Sequence, residues 1–149
     1  RIEKKAIETY ERVVKEFKKS KVAPEAMFNI GMIYEAQTRF EDASKAFLKM
    51  AKIRKNSDAA QALINAGQIL NALQQYDKAA KAYISFIKVA GGLKGKEAGV
   101  TRLKALIPDA HIEIGRIYER MGGKGIGKAK KVYIAITKKL LALKGKLLM

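Results

Sequence analysis

Ala26-Met-Phe-Asn-Ile-Gly-Met-Ile-Tyr34 decides the fold because the chain repeats it. Ala62-Leu-Ile-Asn-Ala-Gly-Gln-Ile-Leu70 follows 36 residues later, and Ala110-His-Ile-Glu-Ile-Gly-Arg-Ile-Tyr118 lies 48 residues beyond that. Self-similarity at a spacing of a few tens of residues marks stacked supersecondary units. Within each copy the apolar residues return every three or four positions, the period of one helix face, so each copy starts a helix. The longer second interval predicts an insertion of a helical turn or more between the second and third copies.

A second pattern follows each copy. Tyr34 to Ala43 and Leu70 to Ala79 are both nine residues, leading on to Phe47 and Tyr83 respectively, and these segments read as the second helices of pairs. The joining turns carry Glu41 with Lys45 and Asp77 with Lys81, four apart as helix-supporting charge pairs. Their acidic members also suit a helix N-terminus. Gly31, Gly67 and Gly115 fall mid-helix at one register, where glycine costs about 1 kcal/mol relative to alanine. Such recurrence calls for a neighbouring helix that approaches the backbone closely, and the small Ala43 and Ala79 are the expected opposing surfaces.

Composition agrees with helices. Two prolines, no tryptophan and 48% hydrophobic residues in 149 leave little of the punctuation of an all-β fold, and the length suits one domain. With no cysteine, disulfides, thiolate metal sites and cysteine nucleophiles are excluded, and the redox compartment stays open. The uncharged run from Ala59 to Tyr76 includes Gln61, Asn65, Gln68, Asn71, Gln74 and Gln75, too many amides for a membrane span. The chain opens at Arg1 inside a helical pattern (Ile2, Ala6, Tyr10, Val13), without an initiator methionine or signal peptide, so it is expected to belong to something longer. The formal charge of +17 is uneven: residues 1–50 hold 11 basic and 8 acidic side chains, residues 101–149 hold 12 and 3. Such a field attracts nucleic acid, anionic lipid or an acidic protein alike.

Helix pairs with a large apolar residue, then a Leu-Gly-like pair, then Tyr, and later Ala and an aromatic, resemble the tetratricopeptide repeat. Met27, Ile30, Gly31, Tyr34, Ala43 and Phe47 match that pattern, and Leu63, Ala66, Gly67, Leu70, Ala79 and Tyr83 match it with a smaller pair. The third copy supplies His111, Ile114, Gly115 and Tyr118, then two extra residues before Ala129 and Tyr133. The resemblance implies an all-α fold, an α-solenoid of antiparallel helix pairs wound into a right-handed superhelix. It divides a single domain over 1–149 into a partial repeat 1–21, repeats 22–57 and 58–91, an insertion 92–107 and a divergent repeat 108–149. Ser20-Lys-Val-Ala-Pro-Glu-Ala26 is further similar to bacterial cell-envelope members such as the Tol-Pal coordinator and the outer-membrane assembly lipoproteins. That similarity favours the periplasm or outer membrane, with the cytoplasm as the alternative.

Catalytic machinery is not expected. Gly122-Gly-Lys-Gly-Ile-Gly-Lys128 has the spacing of a phosphate-binding loop, but Ala129 stands where a hydroxyl would hold magnesium and a helix precedes it. It reads as a longer glycine-rich turn between two helices. His111, the sole histidine, falls at a packing position. No enzyme activity, cofactor or metal is expected. Lysine clusters such as Lys128-Ala-Lys130-Lys131 and Lys138-Lys139 lack the interleaved aromatics used for base stacking.

Stacked repeats curve and expose first-helix residues on a concave face, where members of the family bind partners. Carrying its groove positions onto this chain gives Glu25, Phe28, Met32 and Glu35 from the first copy and Gln61, Ile64, Gln68 and Asn71 from the second. The third adds Asp109, Ile112, Arg116 and Glu119. Apolar contacts with amides that pair with a peptide backbone imply a protein partner segment or helix, within a larger complex. The lysine and arginine set by which chaperone-adaptor relatives hold a C-terminal carboxylate is missing. The expected function is a non-enzymatic protein-binding scaffold in assembly or maintenance of a bacterial envelope complex. The alternative, from the charge, is a basic helical module binding nucleic acid or another polyanion.

Overall fold

The computed structural model describes residues 2–95 and 98–149; Lys96 and Glu97 of the expected insertion, and Arg1, lie outside the described residues. Among the described residues eight helices run in chain order: α1 Ile2–Glu16, α2 Val22–Ala36, α3 Phe40–Ile53, α4 Ser57–Ala72, α5 Tyr76–Gly92, α6 Ala98–Ala105, α7 Ile107–Met121 and α8 Lys124–Leu148. The described residues contain no strand.

Local chemistry sets the helix ends. The Asn56 side chain accepts from the Ala59 amide at 2.9 Å and caps α4, while Pro108 sits in the first turn of α7. At the C-termini of α2 and α4 the chain turns through Thr38 (φ 58°) and Gln74 (φ 59°), left-handed residues that are not glycine. Each is locked by the next amide reaching back over the turn: Arg39 N–H donates to Tyr34 O and Gln75 N–H to Leu70 O, both at 2.8 Å. The expected pairings of Glu41 with Lys45 and Asp77 with Lys81 do not form. Glu41 instead accepts from Gln75 Nε2 at 3.1 Å, joining the start of α3 to the turn before α5. These partners are distant in sequence, so spacing within one helix could not reveal them.

Consecutive helices pack in a row, α1 on α2, α2 on α3, α3 on α4 and α4 on α5; α5 packs on α7, which pairs with α8. The row is an all-α solenoid of tetratricopeptide type. Its core runs continuously through Phe47, Met50, Phe86, Leu103 and Ile117, the largest fully buried side chains. The short α6 lies between the second and third pairs, burying Val100 and Leu103, and contacts α4, α5 and α7.

The mid-helix glycines are buried, but what presses on them is not alanine. A Cβ on Gly31 would lie 2.6 Å from Phe47 Cε1, and one on Gly67 would lie 2.9 Å from Tyr83 Cε2. One on Gly115 would strike the ring of Tyr133. Ala43 and Ala79 are fully buried beside these contacts, yet the aromatic further along each second helix occupies the missing Cβ's place. A ring is flat and broad enough to lie on a helix backbone, which an alanine methyl cannot cover.

Replacing Gly31 with alanine is therefore expected to destabilise the chain by about 1–3 kcal/mol despite alanine's better helix propensity, because the fully buried Phe47 has nowhere to retreat. Gly115→Ala is expected to cost less, since Tyr133 is only half-buried and can swing aside. Gly127→Ala in α8, where nothing lies within 4 Å of the added methyl, is expected to stabilise by up to about 1 kcal/mol. Urea unfolding followed by helical circular dichroism ranks the three; a stabilised Gly31→Ala would contradict the packing described.

Candidate functional site

Along α2, residues 23, 27, 30 and 34 point one way and residues 25, 28, 32 and 35 roughly the opposite way, by the helical turn of about 100° per residue. The first set, Ala23, Met27, Ile30 and Tyr34, faces α1 and α3. The second set is the one expected on the concave face. There Glu25 and Met32 are exposed and Glu35 is half-buried. Phe28 is half-buried with its ring tilted on Phe47, centroids 5.4 Å apart, so part of its surface already serves the core.

The second copy is less open than its sequence suggests. Ile64 is only 7% exposed and belongs to the hydrophobic core, so it offers packing where a contact surface was expected. Gln61 is half-buried; its amide donates to Asn65 Oδ1 at 2.8 Å and its carbonyl accepts from Arg102 of α6 at 2.6 Å. The insertion thus ties down the first half of α4. Gln68 stays exposed.

Beyond α6 a polar cleft of about 460 Å³ opens between α4 and α7, lined by Gln68, Asn71, Tyr76, Tyr83, Glu113 and Arg120 among others. Glu113 organises it. Asn71 Nδ2 and Arg120 both donate to Glu113 Oε1 at 3.1 Å, and Arg120 also donates to Asn71 Oδ1 at 3.0 Å. Arg116 approaches the other carboxylate oxygen at 3.5 Å. Burial, with the Glu113 charge adding and Arg120 opposing, pushes the Tyr83 hydroxyl up to about 12, so it stays a neutral donor. Of the expected third-copy residues, Arg116 is exposed beside this network, Ile112 is half-buried, and Asp109 and Glu119 are exposed. Glu119 accepts from the Tyr133 hydroxyl at 3.1 Å. The structure therefore brings Gln68, Asn71 and Arg116 together with Glu113 and Arg120, which the sequence reading passed over. The spacing of 113, 116 and 120 on one face of α7 was the available signal.

A second concavity lies on the other side of α2. A groove of about 700 Å³ between α1 and α3 has Ala23, Met27, Ile30 and Tyr34 as its floor and Lys15, Lys18, Lys45 and Lys49 on its walls, with Glu11 and Asp42 beside them.

The glycine-rich segment is shorter as a turn than expected. Only Gly122 (φ 62°) and Gly123 (φ 46°) form it, and α8 begins at Lys124. Gly125 is buried where a Cβ would run into the Tyr118 carbonyl and Met121. The Lys128 ammonium sits 5.4 Å over the Tyr118 ring. His111 is half-buried, and both that burial and the Lys139 charge on α8 lower its pKa below 6.5.

Tetratricopeptide-repeat models match residues 4–54 and 60–91, which span α1 to α3 and α4 to α5. No curated protein matches the sequence. The fold is similar to the crystal structure of BtubC (BKLC) from P. vanneervenii, with a TM-score of 0.59 and 18% identity over 91% of this chain. The match spans 58% of that chain's length, and at this identity it speaks for the fold alone.

The position of Lys139 gives a local check. The His111 pKa, read by NMR titration, is expected below 6.5 and to rise in Lys139→Ala. Because the unfolded chain binds this proton more readily, the group's contribution to stability is whole above pH 6.5 and falls as pH drops toward the folded value. A His111 pKa unmoved by Lys139→Ala would place that stretch of α8 elsewhere.

Proposed function

Because the chain carries tetratricopeptide repeats in a solenoid of that type, we propose that it is a non-enzymatic scaffold that holds a partner segment on its inner face. The observation that carries this reading is the Gln68–Asn71–Glu113–Arg120 cleft. It joins the exposed amide of Gln68, the Glu113 carboxylate and the Arg120 guanidinium across two repeats, with Arg116 approaching the same carboxylate, and Met32 is exposed on the preceding repeat. An extended peptide presents alternating N–H and C=O groups, and amides with paired charges satisfy both. Glu25, Phe28, Met32 and Glu35 form the first half of the proposed surface and Gln68, Asn71, Ile112 and Arg116 the second. Gln61 and Ile64 are engaged by α6 and the core, and would take part only if α6 moves.

A role in assembling or maintaining a bacterial envelope complex, in the periplasm or at the outer membrane, rests on the likeness of Ser20–Ala26 to envelope members of the superfamily. The polyanion reading is weaker on this face, where Glu25, Glu35, Glu113 and Glu119 would repel phosphates.

Photocrosslinkers placed at Met32 and Gln68 in native extract are expected to capture one shared partner, while the same group at Lys81, exposed on a second helix, does not. With that partner purified, Gln68→Ala and Arg120→Ala are each expected to weaken binding by about tenfold, the scale of one or two lost hydrogen bonds. Equal capture at Lys81, or binding indifferent to both substitutions, would remove the inner-face reading.

A further inference from the structure

The helix α8 behaves unlike the other long helices. Of its 25 residues, Lys124–Leu148, only Gly125 and Ala129 are buried, and every residue from Thr137 to Met149 is exposed. The pairing with α7 explains why. A two-glycine turn makes the helices antiparallel, and α7 has 15 residues, so roughly the last ten of α8, about 15 Å, run past its end.

That overhang is amphipathic and strongly basic. At about 100° per residue, Leu143, Leu147, Leu140, Leu148 and Leu141 fall within an arc of about 160°, and Lys138, Lys139 and Lys146 lie on the opposite side. The five leucines are 57–87% exposed. Counting its whole length, α8 holds eight lysines and no acidic residue. Lys144 sits inside the apolar arc.

We propose that the α8 overhang is a docking helix for an anionic phospholipid surface, lying flat with Leu140, Leu141, Leu143, Leu147 and Leu148 in the acyl boundary and its lysines on the headgroups. Charge and apolarity in one helix select this occupant. A nucleic acid would engage the lysines and leave five leucines in water. Another α8 would oppose lysines with no carboxylate to offset them, and the groove between α1 and α3 is itself walled by Lys15, Lys18, Lys45 and Lys49. A further packed helix would have to bury Lys144, whereas at a membrane interface its stem lies along apolar surface and its ammonium reaches the headgroups. Among the described residues no helix is long and apolar enough to cross a membrane, so the mode is adsorption in the plane. This inference stands apart from the inner-face reading, since the two surfaces share no residue.

The test uses the whole chain and vesicles of equal parts phosphatidylglycerol and phosphatidylcholine, with pure phosphatidylcholine as comparison. Co-sedimentation is expected with the anionic vesicles only, weakened at least tenfold by Lys138→Gln with Lys139→Gln and equally by Leu140→Ser with Leu141→Ser. All four positions are exposed, and unchanged circular dichroism confirms that the variants fold. Since the chain has no cysteine, Leu141→Cys accepts a single fluorophore, whose quenching by brominated lipid is expected to place it below the headgroups. The proposal is overturned by binding to neutral vesicles as strong as to anionic ones, by serine variants that bind anionic vesicles undiminished, or by a concentration-dependent dimer abolished by those variants with no vesicle binding. Tight binding of a DNA duplex indifferent to the serine variants, without vesicle binding, would assign the helix to nucleic acid instead.

Discussion

An aromatic ring lying on a bare helix backbone holds each helix pair together. Phe47 rests on Gly31, Tyr83 on Gly67 and Tyr133 on Gly115. Putting glycine in a helix interior costs about 1 kcal/mol. A ring that buries 150–250 Å² returns, at about 25 cal/mol per Å², several times that amount, even when discounted for compactness of the unfolded chain. The exchange is favourable only when the ring touches the backbone, and so the pair geometry is fixed by a steric condition at one point. The neighbouring alanines, Ala43 and Ala46 or Ala79 and Ala82, allow the same closeness along the rest of each second helix.

Repetition of that contact sets α2, α4 and α7 against their second helices in the same way. The insertion changes how much of a first helix stays open. By burying Val100 and Leu103 and sending Arg102 to Gln61, α6 engages the beginning of α4, and the open surface resumes only at Gln68 and Asn71. From there the Glu113 network spans two repeats, so a ligand in the cleft would feel both repeats at once. The tying of Asn71, Arg120 and Glu113 to one another also means that each offers only part of its hydrogen-bonding capacity to a partner.

Much of this was legible in the sequence because the repeat writes its packing code locally. The glycine register and the aromatic 16 residues after Gly31 and Gly67 are visible without coordinates. Which of two small or flat residues touches the glycine was not, since Ala43 and Phe47 share a helix face and only the direction of the ring separates them. Of the groove positions carried over from the family, Glu25, Met32 and Gln68 are exposed, whereas the core encloses Ile64 and a helix of the insertion holds Gln61. Residues 98–105 carry one glycine, one threonine and no repeat signature, so nothing local announced that they would pack on α4. Glu113 and Arg120 escaped because their roles depend on Asn71, more than 40 residues away.

The same logic accounts for the change in composition at the end of the chain. Small residues and paired aromatics are needed only where a helix has neighbours to nest against. In α8 that requirement holds as far as Gly125, Ala129 and Tyr133, which face α7, and lapses once the helix passes the end of its partner. Beyond that point the sequence turns to leucine and lysine, a pair of residue types that does not close against a helix backbone as glycine and alanine do. The acidic side chains that balance charge on the earlier helices, Glu41 and Asp42 on α3 and Asp77 on α5, have no counterpart there. A helix free of packing constraints on most of its surface, yet apolar along one side, has a sequence answering to something other than the solenoid. An interface between water and lipid asks for both halves of that composition at once.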